Sequence, residues 1–454
     1  MENVTRFMNE FGSEIVFKPH QVFGVNWCFD NETCKKPLHN VRGGFIADEM
    51  GLGKTIMMIG VIIANPLKKT LIVLPNILIN QWFNEIFRTT GHMPLVFHGP
   101  NKKFITMEQL INAPIVITSY NIVALSFKKE ENLHKIKWGR IIFDEAHHLR
   151  NKNGRFYGAK SLQSKIRWLI SGTPVQNKRA DFLNLCSFLF LPASFYTNPD
   201  NILELTTNFI LRRTKSNVGI LLPDINNNKE SVRWTNESEQ LLSLDIHEAL
   251  KTVSGSNKLK MLIRARQICI LPNMLSDKMN SLYTSSIIVK IPSHINAVKC
   301  SSKIDSVMAT VISRANNGNG KLIFCHFRAE IDTIIRRLND AGIHNVATFD
   351  GRTRQSTRTL KLAHNYDVLV LQIQTGCEGL NLQKDFSEVY FVSPHWNPAV
   401  EEQAVARCHR IGQTKTVHVF KYIMDEDEAP CQTLDKYISL IQDSKREICN
   451  QIIC

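Results

Sequence analysis

Between residue 41 and about residue 190 the chain alternates short, unbroken apolar runs with longer stretches of helical periodicity. LIVLP (71–75), PIVITSY (114–120), RIIFDE (140–145) and RWLISGTP (167–174) are the runs. A strand that is apolar along its whole length, and not only at alternate positions, is covered on both faces, which predicts the interior of a parallel sheet. Between the runs, ILINQWFNEIF (77–87) repeats its apolar residues at the spacing of a helix. The alternation predicts an α/β domain.

A second series begins near residue 320 with KLIFCHF (321–327), followed by AEIDTIIRRLNDAG (329–342), helical in period and closed by a glycine. NVATFDG (345–351), DVLVLQIQTG (367–376) and SEVYFVSP (387–394) read as three further strands. PAVEEQAVARCHRIG (398–412) reads as a helix and TVHVFKYI (416–423) as a last strand. Between the two series, residues 214–295 mix helical pattern, as in ESEQLLSLDIHEALKTV (237–253), with Asn- and Ser-rich loops such as DINNNKES (224–231). The expected organisation is therefore a first α/β lobe at 1–213, a helical spacer at 214–295 and a second α/β lobe at 296–454, with no short internal repeat.

Lys and Arg exceed Asp and Glu by 55 to 41, and the resulting +14 suits a polyanionic partner such as nucleic acid. The 11 cysteines contain no C-x-x-C pair, which fits neither a structural zinc site nor a disulfide framework and points to a reducing compartment. The opening MENVTRFMNEFGSE lacks the apolar core of a signal peptide, and no run reaches the length of a membrane span. The expectation is a soluble, intracellular protein without membrane or zinc.

The stretch FIADEMGLGKTI (45–56) carries the first chemistry. A strand-like run enters a glycine-bearing turn, and IMMIGVIIAN then opens a helix, a context in which backbone N–H groups and a helix N-terminus face phosphates. Gly51 and Gly53 allow the curl, Lys54 is placed for the β and γ phosphates of ATP, and the Thr55 hydroxyl for Mg²⁺. The usual opening glycine is missing, however, because Asp48 stands five positions before Gly53. Ninety residues on, IIFDEAHHL (141–149) ends an apolar strand in two carboxylates. Asp144 is suited to hold Mg²⁺ and Glu145 to orient or deprotonate the attacking water. His147 and His148 do not form the H-E-x-x-H zinc pattern and are expected to be motif or packing residues.

With these residues in place, D-E-M-G-L-G-K-T resembles motif I of the SWI/SNF-type ATPases, a branch of the superfamily 2 helicase-like proteins whose own loop opens on aspartate. The resemblance runs through nearly the whole chain and implies two tandem RecA-like lobes. It places Gln21, in FKPHQVFGVNW (17–27), against adenine, and counts Asp48 with Gly51 and Gly53 among the nucleotide-binding residues. LIVLPNILINQW (71–82) and ITSY (117–120) are similar to motifs that touch a nucleic-acid backbone, and LISGTPVQN (169–177) to the motif coupling hydrolysis to movement. LRRTK (211–215), RARQICILPNML (264–275) and SSKIDSV (301–307) resemble landmarks leading into lobe 2.

In lobe 2, FDGRTRQSTR (349–358), QTGCEGLNLQ (374–383) and PHWNPAVEEQAVARCHRIGQTK (394–415) carry the likeness. The pattern of the last places Gln403, Arg407 and Arg410 on a helix, with the arginines at i and i+3 on one face. The resemblance implies that Arg407 and Arg410 are fingers meeting the γ-phosphate, an effect worth roughly 10³ to 10⁵ in rate in other nucleotide hydrolases. It also implies that Gln403 belongs to this catalytic set and that Gly379 borders the nucleotide. Two positions depart from the family pattern. Cys377 and Glu378 replace small residues beside Gly376 and Gly379, and His326 stands where Gln or Asn is common. The first puts the coupling of hydrolysis to movement in question.

The function implied is a DNA-stimulated ATPase that ratchets along double-stranded DNA without parting the strands, in transcription, repair or remodelling. Ser119, Tyr120 and Arg352 are candidate contacts to the DNA backbone, with GRTRQSTRTLK (351–361) as a basic, hydroxyl-rich segment. Trp396 and Phe349 are expected to pack in the core. The competing readings are a true helicase acting on DNA or RNA and a hydrolysis-weak DNA clamp. Little sequence precedes Gln21 or follows the last strand, so the expectation is a motor without an appended module, compact and Asn-rich as in an AT-rich viral or protist genome.

Overall fold

The computed structural model describes residues 17–128, 132–172, 179–284, 288, 298, 300–353, 364–376, 380–425 and 432–453. The chain forms two compact units, one of Met1–Leu221 with Glu447–Cys454 and one of Leu222–Arg446, each an α/β body built on one parallel sheet.

The first unit contains β1 (Gly43–Ile46), β2 (Thr70–Leu74), β3 (Leu95–Val96), β4 (Ile115–Ser119), β5 (Lys137–Asp144), β6 (Gln163–Ile170) and β7 (Ile210–Leu211). Among the described residues they form a seven-stranded sheet in the order β3-β4-β2-β5-β6-β1-β7, every pair parallel. The unbroken apolar runs have their cause in this arrangement. Ile141 and Phe143 of β5 join Leu71, Val73, Val116 and Leu169 in a core on one face, while Ile142 joins Ile72, Ile117 and Ile170 in a core on the other. With both faces dry, no position on a central strand is left for water.

One polar group crosses this apolar interior. Glu32, near the end of the Pro19–Thr33 helix, is buried and accepts hydrogen bonds from Arg140 of β5, with Nε at 2.5 Å and Nη2 to the second oxygen. Trp168 Nε1 of β6 and Asn65 Nδ2 complete the carboxylate, each at 2.7 Å. Arg140 also reaches Thr70 and the Asn65 carbonyl. The cluster pins the helix carrying His20 and Gln21 to three central strands and to the C-cap of the Lys54–Ala64 helix.

The second unit contains β8 (Ile225–Val232), β9 (Gly320–Cys325), β10 (Val346–Phe349), β11 (Val368–Gln372), β12 (Phe386–Phe391) and β13 (Val417–Met424). Among the described residues they form a parallel sheet in the order β10-β11-β9-β12-β13-β8. Strand β8 was expected as a loop. It pairs with β13 over eight residues, Ile225 with Val417 through Val232 with Met424, and only Val232 is buried. As an edge strand it is fixed by backbone bonds and leaves its Asn and Lys side chains in water, so its sequence lacks an apolar period.

The Glu237–Thr252 and Ser256–Ile270 helices supply Leu242, Ile246, Met261 and Ile268 to the core that also contains Ile304, Val307, Ile323 and Tyr390. Phe349 lies in the core of the other face, as its sequence context implied. No described helix is long and apolar enough to cross a membrane.

The Glu32 cluster makes a prediction. Glu32→Ala leaves Arg140 charged and buried without a carboxylate, which costs about 3–5 kcal/mol. Denaturant unfolding should show a loss of this size for Glu32→Ala and a smaller loss for the double variant Glu32→Leu/Arg140→Met. A loss below about 1 kcal/mol for Glu32→Ala would mean that the cluster does not hold the helix.

Candidate active site

The glycine-rich loop leaves β1 at Ile46 and enters the Lys54–Ala64 helix. Gly51 and Gly53 take φ of +90° and +81°, a region where a Cβ is strained. At Gly53 a Cβ would also lie 2.2 Å from Gln21 Nε2, so the loop and the Pro19–Thr33 helix touch there. The Gln21 amide accepts from the Lys18 N–H and donates to the Leu52 carbonyl, and His20 Nε2 lies 3.1 Å from that carbonyl. The expected adenine-reading glutamine therefore also braces the loop.

Asp48 is completely buried, and its carboxylate takes two hydrogen bonds from Arg213, at 3.1 Å from Nε and 2.5 Å from Nη2. The same guanidinium donates to the His20 carbonyl. Glu49 pairs with Lys215 at 2.9 Å, and its N–H bonds to the Arg213 carbonyl. Asp48 thus acts on the loop through Arg213, and the part of it that meets Lys54 is its carbonyl, 2.8 Å from Nζ. The string LRRTK held the signal for this pairing, but sequence reading gave Arg213 no role. Thr55 follows in the first turn of the helix.

The two adjacent acids have opposite environments. Asp144, at the end of β5, is buried, with Trp82 Nε1 on one oxygen at 2.7 Å and the Glu145 N–H on the other at 2.9 Å. Burial first, and then the charge of Glu145, push its carboxyl up to about 7. Glu145 has φ of +49° and ψ of +50°, a left-handed conformation that is uncommon for a non-glycine residue and gathers at functional sites. Its Oε2 lies 3.2 Å from His147 Nδ1, which is 3.4 Å from Ser171 Oγ. Ser171 N–H donates to the Ile46 carbonyl, and a Cβ on Gly172 would stand 3.4 Å from Lys54 Nζ. Ser171 and Gly172 therefore join the loop to the acids, while 173–177 of the same string lie outside the described residues. His148 stacks on His147 and is pushed down to about 4 by burial, so it is neutral at pH 7.

Two of the three candidate DNA contacts are corrected. Ser119 is buried, with Oγ 3.1 Å from His98 Nδ1 and accepting from Ile122 N–H. Tyr120 is buried and its hydroxyl donates to the Asp144 carbonyl at 2.6 Å. Ser119 ends β4, a strand with both faces covered, and Tyr120 follows it, so their polar atoms find partners inside. Trp82, at the end of a string expected to touch nucleic acid, is likewise interior and holds Asp144. Arg352 remains at the surface, paired with buried Asp350 and exposed Asp332.

The arginine pair is also corrected. The helix runs only from Pro398 to Val405, and Arg407 and Arg410 lie in the turns after it. The Arg407, Cys408 and Arg410 N–H groups bond two or three residues back, to Ala404, Val405 and Cys408, in place of the four-residue step of a helix. Buried Cys408, Gly412 at φ +95° and a bond from Leu382 N–H to the Arg407 carbonyl shape the turn. Arg410 donates to Asn381, and burial with the Arg407 charge draws its pKa down. Gln403 is buried on the helix itself. Cys377, Glu378 and Gly379 lie outside the described residues, as do 354–361. His326, the other departure, is buried between Arg266 Nη1 at 3.1 Å and the Ser393 carbonyl at 3.3 Å, and stays neutral because burial and Arg266 lower its pKa. Trp396 packs against Tyr437 and beneath Arg266.

Residues 20–274 match the family model of the SNF2-related domain, and 302–412 that of the helicase conserved C-terminal domain. A probable global transactivator of Orgyia pseudotsugata multicapsid polyhedrosis virus is 26% identical over 95% of this chain and 90% of its own length. The ATP-dependent DNA helicase DDM1 of Arabidopsis thaliana is 26% identical over 92% of this chain, which spans 61% of that relative. The solved Sulfolobus solfataricus SWI2/SNF2 ATPase core in complex with dsDNA is 25% identical, covering 97% of this chain and 93% of its own, at a TM-score of 0.42.

The raised Asp144 carboxyl predicts a pH effect. Between its ordinary value of 3.8 and about 7 the folded chain binds the proton that the unfolded chain has released. The stabilisation from this group is complete below about pH 4 and is lost as pH rises through 7. In metal-free buffer, the unfolding temperature of the native chain relative to Asp144→Asn should fall between about pH 5 and pH 8. A difference that is flat or rises over this range would place the Asp144 proton elsewhere.

Proposed function

The chain belongs to the SNF2-related family, and on that premise we propose that it couples ATP hydrolysis to movement along double-stranded DNA. ATP hydrolysis comes with the family. The observation that carries the movement is that the chain has a single Gly-Lys-Thr nucleotide loop but two complete parallel-sheet units. A single fuel site serving two bodies is suited to turn chemistry into displacement, and the +14 charge suits a phosphate track.

In this reading the Lys54 ammonium exchanges the Asp48 and Glu49 carbonyls for the β and γ phosphates, while Gln21 reads the adenine. Among the described residues no cluster of three or more His, Cys, Asp or Glu side chains could hold a metal. One hydroxyl and one carboxylate suit a hard cation that completes its shell with phosphate and water. Thr55 and Asp144 would hold Mg²⁺, which neutralises charge on the transferred phosphate. Trp82 and the Glu145 N–H keep Asp144 aimed, and Glu145, fixed beside His147, orients and deprotonates the attacking water. Arg407 and Arg410 supply the finger charge and Gln403 supports their segment. Arg352 contacts the DNA backbone by exchanging Asp332 for a phosphate, an exposed pair worth only about 0–1 kcal/mol. Action in a transcription or repair complex is proposed with the motor.

Steady-state ATP hydrolysis tests the reading. Duplex DNA should stimulate turnover more than single strands or structured RNA, and the chain should displace a third strand from a triplex. Lys54→Ala, Glu145→Gln and Arg410→Ala should each abolish turnover, the last by about 10³ or more, with Glu145→Gln still binding ATP. Stimulation by RNA or single strands alone would indicate a strand-separating helicase, and binding to duplex without hydrolysis would indicate a clamp. Native turnover in any of the three variants would remove that residue from the mechanism.

A further inference from the structure

A cavity of about 500 Å³ opens at the N-terminal ends of the central strands of the first sheet, where β2, β5 and β6 begin. The nucleotide loop and Asp144 follow the strand ends, so β5 alone separates the two places by roughly 20 Å. Leu67 and Trp138 give the cavity an apolar floor, and Lys68, Lys69, Lys137 and Lys165 surround its mouth. The wall is rigid, because the Lys69 carbonyl accepts from the N–H groups of Gly139, at 2.9 Å, and Arg140, at 3.2 Å. Lys68, Lys137 and Lys165 are exposed and Lys69 half-buried. Among the described residues none of the four lysines makes an ion pair.

Four like charges round one mouth repel each other, and an anionic occupant relieves that repulsion. The floor narrows the choice. A phosphate track needs only the lysines, whereas an apolar centre inside a charged rim is the anatomy of a protein-recognition site; the open apolar surface here belongs to half-buried Leu67, since Trp138 is packed in the core with its Nε1 on the Leu133 carbonyl. The volume suits one large apolar side chain with its neighbours. We propose that this cavity docks an acidic segment of a partner protein, with an apolar side chain on the floor and flanking Asp or Glu residues on the lysines. The docking is independent of nucleotide and of the DNA reading above, and it gives the chain a recruitment site at the strand ends remote from its chemistry.

Fluorescence anisotropy of a labelled peptide with a central Phe flanked by Asp and Glu, titrated with the full chain without nucleotide, tests the proposal. The peptide should bind, and replacing its Phe by Ser should weaken binding about tenfold. Lys137→Glu/Lys165→Glu should weaken it at least as much while leaving ATP hydrolysis unchanged. Ser164→Trp, which fills the cavity and keeps the charge, should weaken it similarly, so misfolding of one variant does not decide the matter. Failure of the native chain to bind, equal binding by both variants, or indifference to the Phe would overturn the proposal. Duplex DNA affinity that falls in the lysine variant while peptide binding persists would also overturn it, assigning the lysines to nucleic acid.

Discussion

A carboxylate taken out of water destabilises a fold by several kcal/mol unless a cation meets it inside, and the first unit is organised round two such meetings. Glu32 meets Arg140 across 108 positions, and Asp48 meets Arg213 across 165. Each guanidinium then extends to a backbone carbonyl, that of Asn65 in one case and His20 in the other. The two arginines hold the same helix, Pro19–Thr33, from opposite directions. Gln21 reaches Leu52, and the loop keeps its curl, because that helix cannot shift. The aspartate at the opening of the loop is a strut, which accounts for an acid standing where a glycine is usual.

The acids at the end of β5 show how such a frame sets chemistry. Asp144 and Glu145 are covalent neighbours, yet one faces an indole and an amide while the other, on a left-handed backbone, sets an oxygen beside His147. Trp82 and Tyr120, which hold Asp144, and His147, which lies beside Glu145, frame the pair. Ser171 and Gly172 lie between the two halves of this arrangement, Ser171 beside His147 and Gly172 beside Lys54.

The parts of this architecture that were legible in the sequence are those that depend on local composition. The buried strands announced themselves because two covered faces require unbroken apolar runs, and the loop because Gly51, Gly53, Lys54 and Thr55 are adjacent. What failed depended on distant partners or on the last turn of an element. Nothing near Ser119 or Tyr120 tells whether a hydroxyl faces solvent or His98 and the Asp144 carbonyl. Helical spacing carries a pattern past Val405, but the chain turns from Ala406 on, before either arginine. Strand β8 was hidden because an edge strand is specified by its neighbour's backbone. Arg213 stood in a string already noticed, but its partner lies at the other end of the unit.

Strand β8 also has a mechanical meaning. It begins three residues after the division at Leu221 and runs parallel to β13 with eight residues in register. A pull along that strand loads its hydrogen bonds side by side, in shear, so that they must fail together; a pull across it would open them one at a time like a zipper. The polar, apolar-poor segment is in this sense a lap joint, able to transmit tension into the sheet with little help from packing.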